Sequence, residues 1–443
     1  AGTEAVVRNR KNPPPQPRSG RRGRFKDVPK HDLDVVLARP TTKSVTMSLL
    51  AYKDLDVSLA YEPGGVTRPL TLRQGMPLDV ELTDLEPNQA YQYTISAGNP
   101  LTTGTFRTAR PAGSEFVFAM QADSHLDNNT DVKVYANTLA NIVADRPDFL
   151  IDLGDTFMTD KYPTYQESAA QYLAQRYYLG LAGRTMPVFL TLGNHDGEVG
   201  WTTRGAAEMT AWSSAMRRKY FPPVQSNDFY TAGPLTRNYY AWTWGDAQFI
   251  VLDPFTNTQT KPGKNRDGWG WTLGQEQYNW LRATLETSRA PFIFVFIHHL
   301  VGGNGKEARG GAEASIYFEW GGANADGTPG FAANRPGWPI PIHDLLVAHK
   351  VSAVFHGHDH LYVHQERDGI AYQEVPQPSF ARGEATGSAD DYGYVSGTLL
   401  SSSGHVRVRV SPTNATVDYV KSRLIGKNAE IVDQYVLEPA PAR

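Results

Sequence analysis

The sequence predicts an α/β domain preceded by a small antiparallel β-sandwich. Two observations carry the expectation. From Asp32 to Ala109, short runs with apolar residues at every second position are separated by Pro, Gly and Asn, the pattern of half-buried strands. From Glu115 onward, near-continuous apolar runs alternate with helical stretches, the pattern of buried strands in an α/β sheet.

Taken in order, residues 1–30 form a basic Pro/Gly/Arg-rich tail. They carry nine Lys or Arg against Glu4 and Asp27, giving +7 there and leaving −10 over the rest of a chain whose total is −3. Such a stretch cannot bury enough apolar surface to fold alone. It reads as a solvated tail or an arm on the acidic body. Residues 31–110 hold the sandwich, with "DVVLARP", "SVTMSLLAY", "LDVELTDL" and "AYQYTISAG" among its strands. "LTDLEPNQAYQYTI" resembles the fibronectin type III pattern, which would make Tyr91 a core tyrosine with a hydrogen-bonded hydroxyl. Residues 114–443 form the α/β domain. Its apolar runs are "EFVFAMQADSH", "DFLIDLGD", "PVFLTLGNHD", "PFIFVFIHH" and "VSAVFHGHDH". Helices are expected around Asp131–Ala144, around Tyr165–Gly183 and within "PIHDLLVAHK". Further strands, some antiparallel, follow Leu361. A Gly-rich insert over residues 300–340 is too long for an ordinary connection and reads as a lid.

Composition narrows the function. There is no cysteine, so disulfides and thiolate ligands are excluded and any metal is held by nitrogen and oxygen. No apolar run of about 18 residues appears, so no membrane span is expected. The acidic body argues against a nucleic-acid groove. The start at Ala1 leads to the expectation of an exported bacterial protein, secreted or periplasmic, with a signal peptide removed. The sequence leaves the oligomeric state open.

The chemistry lies at the strand ends. All five apolar runs finish in Asp, Asn or His: Asp123 and His125, Asp155, Asn194 and His195, His298 and His299, His358 and His360. Ligand sites in α/β sheets lie beyond the carboxyl ends of strands. Imidazole and carboxylate together suit Fe, Zn, Mn or Co. There are too many donors for one tetrahedral ion and about enough for two that share a carboxylate. Alternation along an extended strand end places His358 and His360 on one side with Asp359 turned away, and pairs Asp123 with His125.

In this order, "DSH", "GDTFMTD", "GNHD", "HH" and "GHDH" resemble the calcineurin-like metallophosphoesterase superfamily over roughly residues 115–365. With a β-sandwich in front, the plan is similar to that of plant-type purple acid phosphatases. The resemblance implies an α/β-β-α sandwich and two transition-metal ions, divalent or trivalent. Asp123, His125 and His360 would bind the first, Asn194, His298 and His358 the second, and Asp155 would bridge them. His298 is preferred to His299 because family ligands stand two residues before a proline, here Leu300. His195 would serve as an acid or electrostatic group beside the substrate. Purple acid phosphatases carry a tyrosine three residues after the bridging aspartate; Met158 stands here, so no iron–tyrosinate is expected.

The implied activity is hydrolysis of a small phosphate ester by a metal-bridging hydroxide, with monoesters ahead of diesters. Two ions, two carboxylates and that hydroxide leave net positive charge for an ester anion. A phosphodiesterase or nucleotidase of the same family is the alternative, and a non-catalytic surface binding protein on a metal-filled scaffold is the alternative of another class. His299, Arg309 and Arg335 are the candidate substrate contacts. Asp152, Asp196 and Asp359 are candidates to orient imidazoles, and some of Trp201, Trp212, Trp269, Trp271, Trp320 and Trp338 to stack on a leaving group.

Overall fold

The computed structural model describes residues 28–202, 208–264, 267–380 and 384–441. Residues 1–27 of the expected basic tail lie outside these.

The first seven strands form two antiparallel sheets. One has three strands, Leu33–Ala38, Val45–Ala51 and Leu78–Leu82; the other has four, in the order Val66–Leu72, Leu55–Glu62, Ala90–Ala97, Asn99–Arg107. The alternation read from the sequence is the reason. In Leu55–Glu62, Val57, Leu59 and Tyr61 point inward while their neighbours face outward, and they meet Val35, Leu37, Met47 and Leu49 of the smaller sheet in one core. Tyr91 is buried there and its hydroxyl accepts the Glu86 N–H at 2.8 Å.

The larger body has two sheets. In one, Phe116–Gln121 runs parallel to Leu150–Asp152, which runs parallel to Val188–Leu190. Its other edge is antiparallel, through Gly404–Val410, Ala415–Lys421 and Glu430–Leu437. In the second, Ala247–Val251, Phe292–Phe296, Ala353–His356 and Ile370–Glu374 are parallel neighbours. The strands are apolar on both faces because one face packs on helices and the other on the opposite sheet. Phe118 of the first sheet lies 4.9 Å from Phe249 and 5.4 Å from Phe294 of the second. Helix Val132–Asp145 begins where the Asp131 side chain accepts the N–H groups of Lys133 and Val134, as an N-cap should. The expected second helix is a 3₁₀ turn, Tyr165–Ser168, running into Ala169–Gly183. Helices Glu208–Tyr220 and Gln275–Thr287, and the hairpin Tyr240–Trp244 with Ala247–Val251, stand outside the runs singled out in the sequence.

One expectation needs correction. The strands are shorter than the apolar runs that announced them: "DFLIDLGD" supplies only Leu150–Asp152 and "PVFLTLGNHD" only Val188–Leu190. The insert over residues 300–340, the expected lid, mixes buried segments with exposed ones, 325–329 and 332–334 being exposed. Trp320 is fully buried and donates to the Tyr372 hydroxyl at 2.9 Å, while Phe318 and Glu319 are buried beside it.

Candidate metal centre

The donors stand beyond the ends of five strands, and after three of these the turn is made by residues in the left-handed region. Asp123, His125, Asp155, His358 and His360 have φ of 56°, 50°, 55°, 84° and 61°. None is glycine, and each such residue costs roughly 1–2 kcal/mol. Strain of this kind persists only where surrounding structure dictates it. Here Asp196 does much of that work, accepting the N–H groups of Gly193, Asp155, Thr156 and Phe157 at 2.7–3.0 Å. Gly193 must be glycine, because a Cβ there would lie 2.2 Å from Asp155 Oδ1.

The turns gather the donors into two groups. Asp123, His125 and His360 form one; Asp155, His298 and His358 form the other; the candidate ligand atoms within each lie within 4.8 Å of one another. His358 and His360 thus serve opposite groups. Alternation along an extended strand fails here because the strand ends at His356 and the next residues are a left-handed turn. Asn194 joins the second group, its Oδ1 3.1 Å from His298 Nε2. Asp155 faces both, with Oδ2 3.6 Å from His125 Nε2 and 3.4 Å from His298 Nε2.

The donor set fits metal ions. Asp123 Oδ1 and His125 Nε2 are buried, make no hydrogen bond and stand 3.5 Å apart. Buried polar atoms normally find a partner. The His298 ring is more specific. Its Nδ1 lies 2.8 Å from the Leu153 carbonyl, which can only accept, so Nδ1 carries a hydrogen. In the neutral ring Nε2 is then a lone pair facing the Asn194 oxygen, and a cation between two acceptors resolves that contact. His358 is held the other way round, with Nε2 2.8 Å from the Glu307 carbonyl, which leaves Nδ1 as its donor atom. The electrostatics agree. Burial alone would raise the Asp123 carboxyl, but His298 and His360 hold it well below the usual carboxylate range. Burial alone would lower the His298 ring, but Asp155 and Asp123 push it up to about 9. Burial instead lowers the His358 and His360 rings, so the two carboxylates favour positive charge at His298 while His358 and His360 stay neutral nitrogen donors.

His195 stands at the rim. Its Nδ1 lies 2.9 Å and 3.0 Å from the two oxygens of Asp160, its Nε2 4.0 Å from Asp155 Oδ2, and its backbone N–H donates to Asp155 Oδ1 at 2.8 Å. Asp160 ends the quoted "GDTFMTD", but its pairing could not be read from spacing.

A cavity of about 1150 Å³ opens over both groups. Arg309 lines it; His299 and Arg335 do not. Arg309 is committed to the chain itself, donating to the His358 carbonyl and, at 3.2 Å, to Asp359. His299 is buried edge-on against Trp271 at 4.6 Å, and burial pushes its ring down to about 3. Arg335 is tied to Glu319 and to the carbonyls of Trp269 and Trp271. Of the six tryptophans, only Trp201 and Trp271 reach the cavity. The three aspartates do not orient imidazoles. Asp152 accepts from Gln121 and Thr156, Asp196 caps the backbone, and Asp359 accepts from Arg309, Gly310 and Tyr394.

The family model described as calcineurin-like phosphoesterase matches residues 117–362. No curated protein matches the sequence. Among solved structures, PhoD superposes with a TM-score of 0.66 at 15% identity, covering 92% of this chain and 90% of that one. The purple acid phosphatase PPD1 from yellow lupin (Lupinus luteus) seeds gives 0.63 at 14% identity, covering 93% and 75%. At such identities the likeness is one of fold.

Proposed function

The chain belongs to the calcineurin-like phosphoesterase family, and from that premise we propose that it hydrolyses small phosphoric esters at two metal ions. The observation that carries the reading is Asp155, one carboxylate oxygen within 3.6 Å of donors from both groups. Asp123, His125 and His360 would hold one ion, Asn194, His298 and His358 the other, and Asp155 both. Bound there, the ions would supply Lewis-acid charge and a water acidic enough to act as nucleophile near neutral pH.

The chain's own residues do the rest. The His195 backbone N–H holds Asp155 in place at 2.8 Å. Asp160 can only accept, so it fixes a hydrogen on His195 Nδ1 and turns Nε2 toward the cavity. In the doubly protonated ring Nε2 carries a second hydrogen; as the P–O bond to the leaving oxygen breaks, Nε2 gives that proton to the oxygen, and the ring is left neutral with its Nδ1–H on Asp160. Monoesters are favoured over diesters, because a monoester brings more negative charge to a centre of this kind. No helix among the described residues is long and apolar enough to cross a membrane, and a small soluble ester suits the cavity.

The test is metal dependence. Chelation should abolish hydrolysis, and Fe, Zn, Mn or Co should restore it across a panel of monoesters, diesters and nucleotides. Asp155→Asn should lower the content of both ions together by elemental analysis. Full activity in a preparation shown to be metal-free overturns the reading.

A further inference from the structure

Part of the cavity wall carries cations that the proposed chemistry does not use. Lys161, Lys261, Lys264 and Arg309 all line it. Two of them are already neutralised. Lys264 Nζ lies 3.0 Å from Glu307 Oε1, and Arg309 is bound to Asp359. Among the described residues neither Lys161 nor Lys261 has an ion-pair partner, although the chain as a whole is net negative.

Their places in the fold say what they face. Lys161 closes the short helix Thr159–Lys161, and its neighbour Asp160 is the residue that holds His195. Lys161 and His195 line the same cavity. Lys261 precedes Pro262, which packs against Gly270, since a Cβ built there would meet Pro262 at 3.6 Å. The next residue, Trp271, lies 5.6 Å from Trp201 in an edge-on pair on the same wall. On this flank Lys261 accompanies the two tryptophans, and Lys161 lines the same cavity, where Glu307 feels the charge of Lys264 first and of Lys161 as well. A cavity of about 1150 Å³ exceeds what a single phosphoryl group fills, so the flank is free for the rest of the ester.

We propose that the substrate is a phosphate ester whose leaving group carries a second phosphate, held by Lys161 and Lys261. The inference rests on the hydrolase reading above, and its test separates the two. Three esters share a three-carbon skeleton: glycerol phosphate without a second anion, phosphoglycerate with a carboxylate, and glycerol bisphosphate with a phosphate. The metal-loaded full chain should show kcat/KM about tenfold higher for the bisphosphate than for glycerol phosphate at low salt, through KM rather than kcat. Added salt should shrink the ratio. In the double variant Lys161→Gln/Lys261→Gln the ratio should fall to near one. A preference for phosphoglycerate equal to that for the bisphosphate would replace the second phosphate with any anion and overturn the assignment as stated. Equal kcat/KM for all three, or a preference that survives in the double variant, also overturns it. If the bisphosphate is not hydrolysed while other esters of the panel are, the assignment is overturned; if no ester of the panel is hydrolysed, it is the hydrolase reading that fails. Equilibrium binding of glycerol bisphosphate then decides the lysines, because an unchanged Kd in the double variant removes them from any anion site.

Discussion

His195 is the residue whose role is most open to direct measurement. A proton donor matters only when the leaving group is poor: a nitrophenolate departs as an anion unaided, an alkoxide does not. His195→Ala should therefore retain both metal ions and lose about 10²–10⁴-fold in kcat/KM on alkyl esters, with a much smaller loss on nitrophenyl esters. Asp160→Ala should follow the same pattern more weakly, since it frees the ring without removing it. Equal losses across esters of graded leaving-group pKa would assign His195 to packing instead. The seven candidate ligands were legible because five apolar runs each ended in a metal-donor residue. Their partition came from the family resemblance and not from spacing. Period-two alternation put His358 and His360 together, and only the left-handed φ of 84° and 61° sends them to separate groups. Asp160 was invisible for another reason: its partner lies 35 residues away in sequence and 2.9 Å away in space.

At the scale of elements, the insert joins loop-like composition to close packing. It reads as a lid from its many glycines, and some of these sit where backbones meet: a Cβ on Gly302 would lie 2.9 Å from the Gly268 carbonyl, and one on Gly321 2.1 Å from that of Ser315. Glu319 is wholly buried, and burial raises its carboxyl even though Arg335 opposes the shift. Arg335 binds it through Nε and gives Nη2 to the carbonyls of Trp269 and Trp271 at 2.9 Å and 2.8 Å. Removing one partner of a buried pair leaves the other uncompensated, at a cost of about 3–5 kcal/mol. Arg335→Ala should thus lower Tm markedly. Adding Glu319→Gln should recover part of the loss, because no charge is then stranded. If Arg335→Ala leaves Tm unchanged and alters only KM, the insert is a loose substrate-binding lid after all. The strand ends teach a related lesson. Apolar runs located each strand, but where the chain leaves the sheet is set by tertiary contacts such as the four N–H groups on Asp196, which leave no mark in hydropathy.

At the scale of the whole molecule, the sandwich is fastened to the larger body by polar groups that neither part would need alone. Buried Arg176, on helix Ala169–Gly183, donates to the Ser48 carbonyl at 2.6 Å and its hydroxyl at 3.0 Å. The Tyr93 hydroxyl donates to the Arg184 carbonyl at 2.7 Å. Two patterned segments were legible in the sequence; the seam between them was not, because it is made by single residues on elements patterned for other cores. His31 makes the seam sensitive to pH. Its ring touches Tyr52 of the sandwich at 4.5 Å and Tyr177 of the helix at 4.8 Å. Nε2 lies 2.8 Å from Asp34 Oδ1 and Nδ1 2.8 Å from the Pro29 carbonyl. Both partners accept, so only the doubly protonated ring satisfies both. The hydrogen bond to Asp34 accordingly raises the His31 pKa, with burial opposing it and Pro29 assisting. A group whose pKa is higher folded than unfolded stabilises the fold fully below its unfolded value, roughly 6.5, and loses that contribution as pH rises through the folded value. With the side chain 20% exposed, solvent screening limits the effect to about 1 kcal/mol or less. Urea unfolding of the full chain and of His31→Gln at about pH 5.5 and about pH 9 measures it. The wild-type advantage should be larger at the acid end and shrink toward the alkaline end, leaving only the ring's packing. An advantage that is the same at both ends would mean that His31 binds the seam as a neutral ring and that the pairing with Asp34 carries no charge.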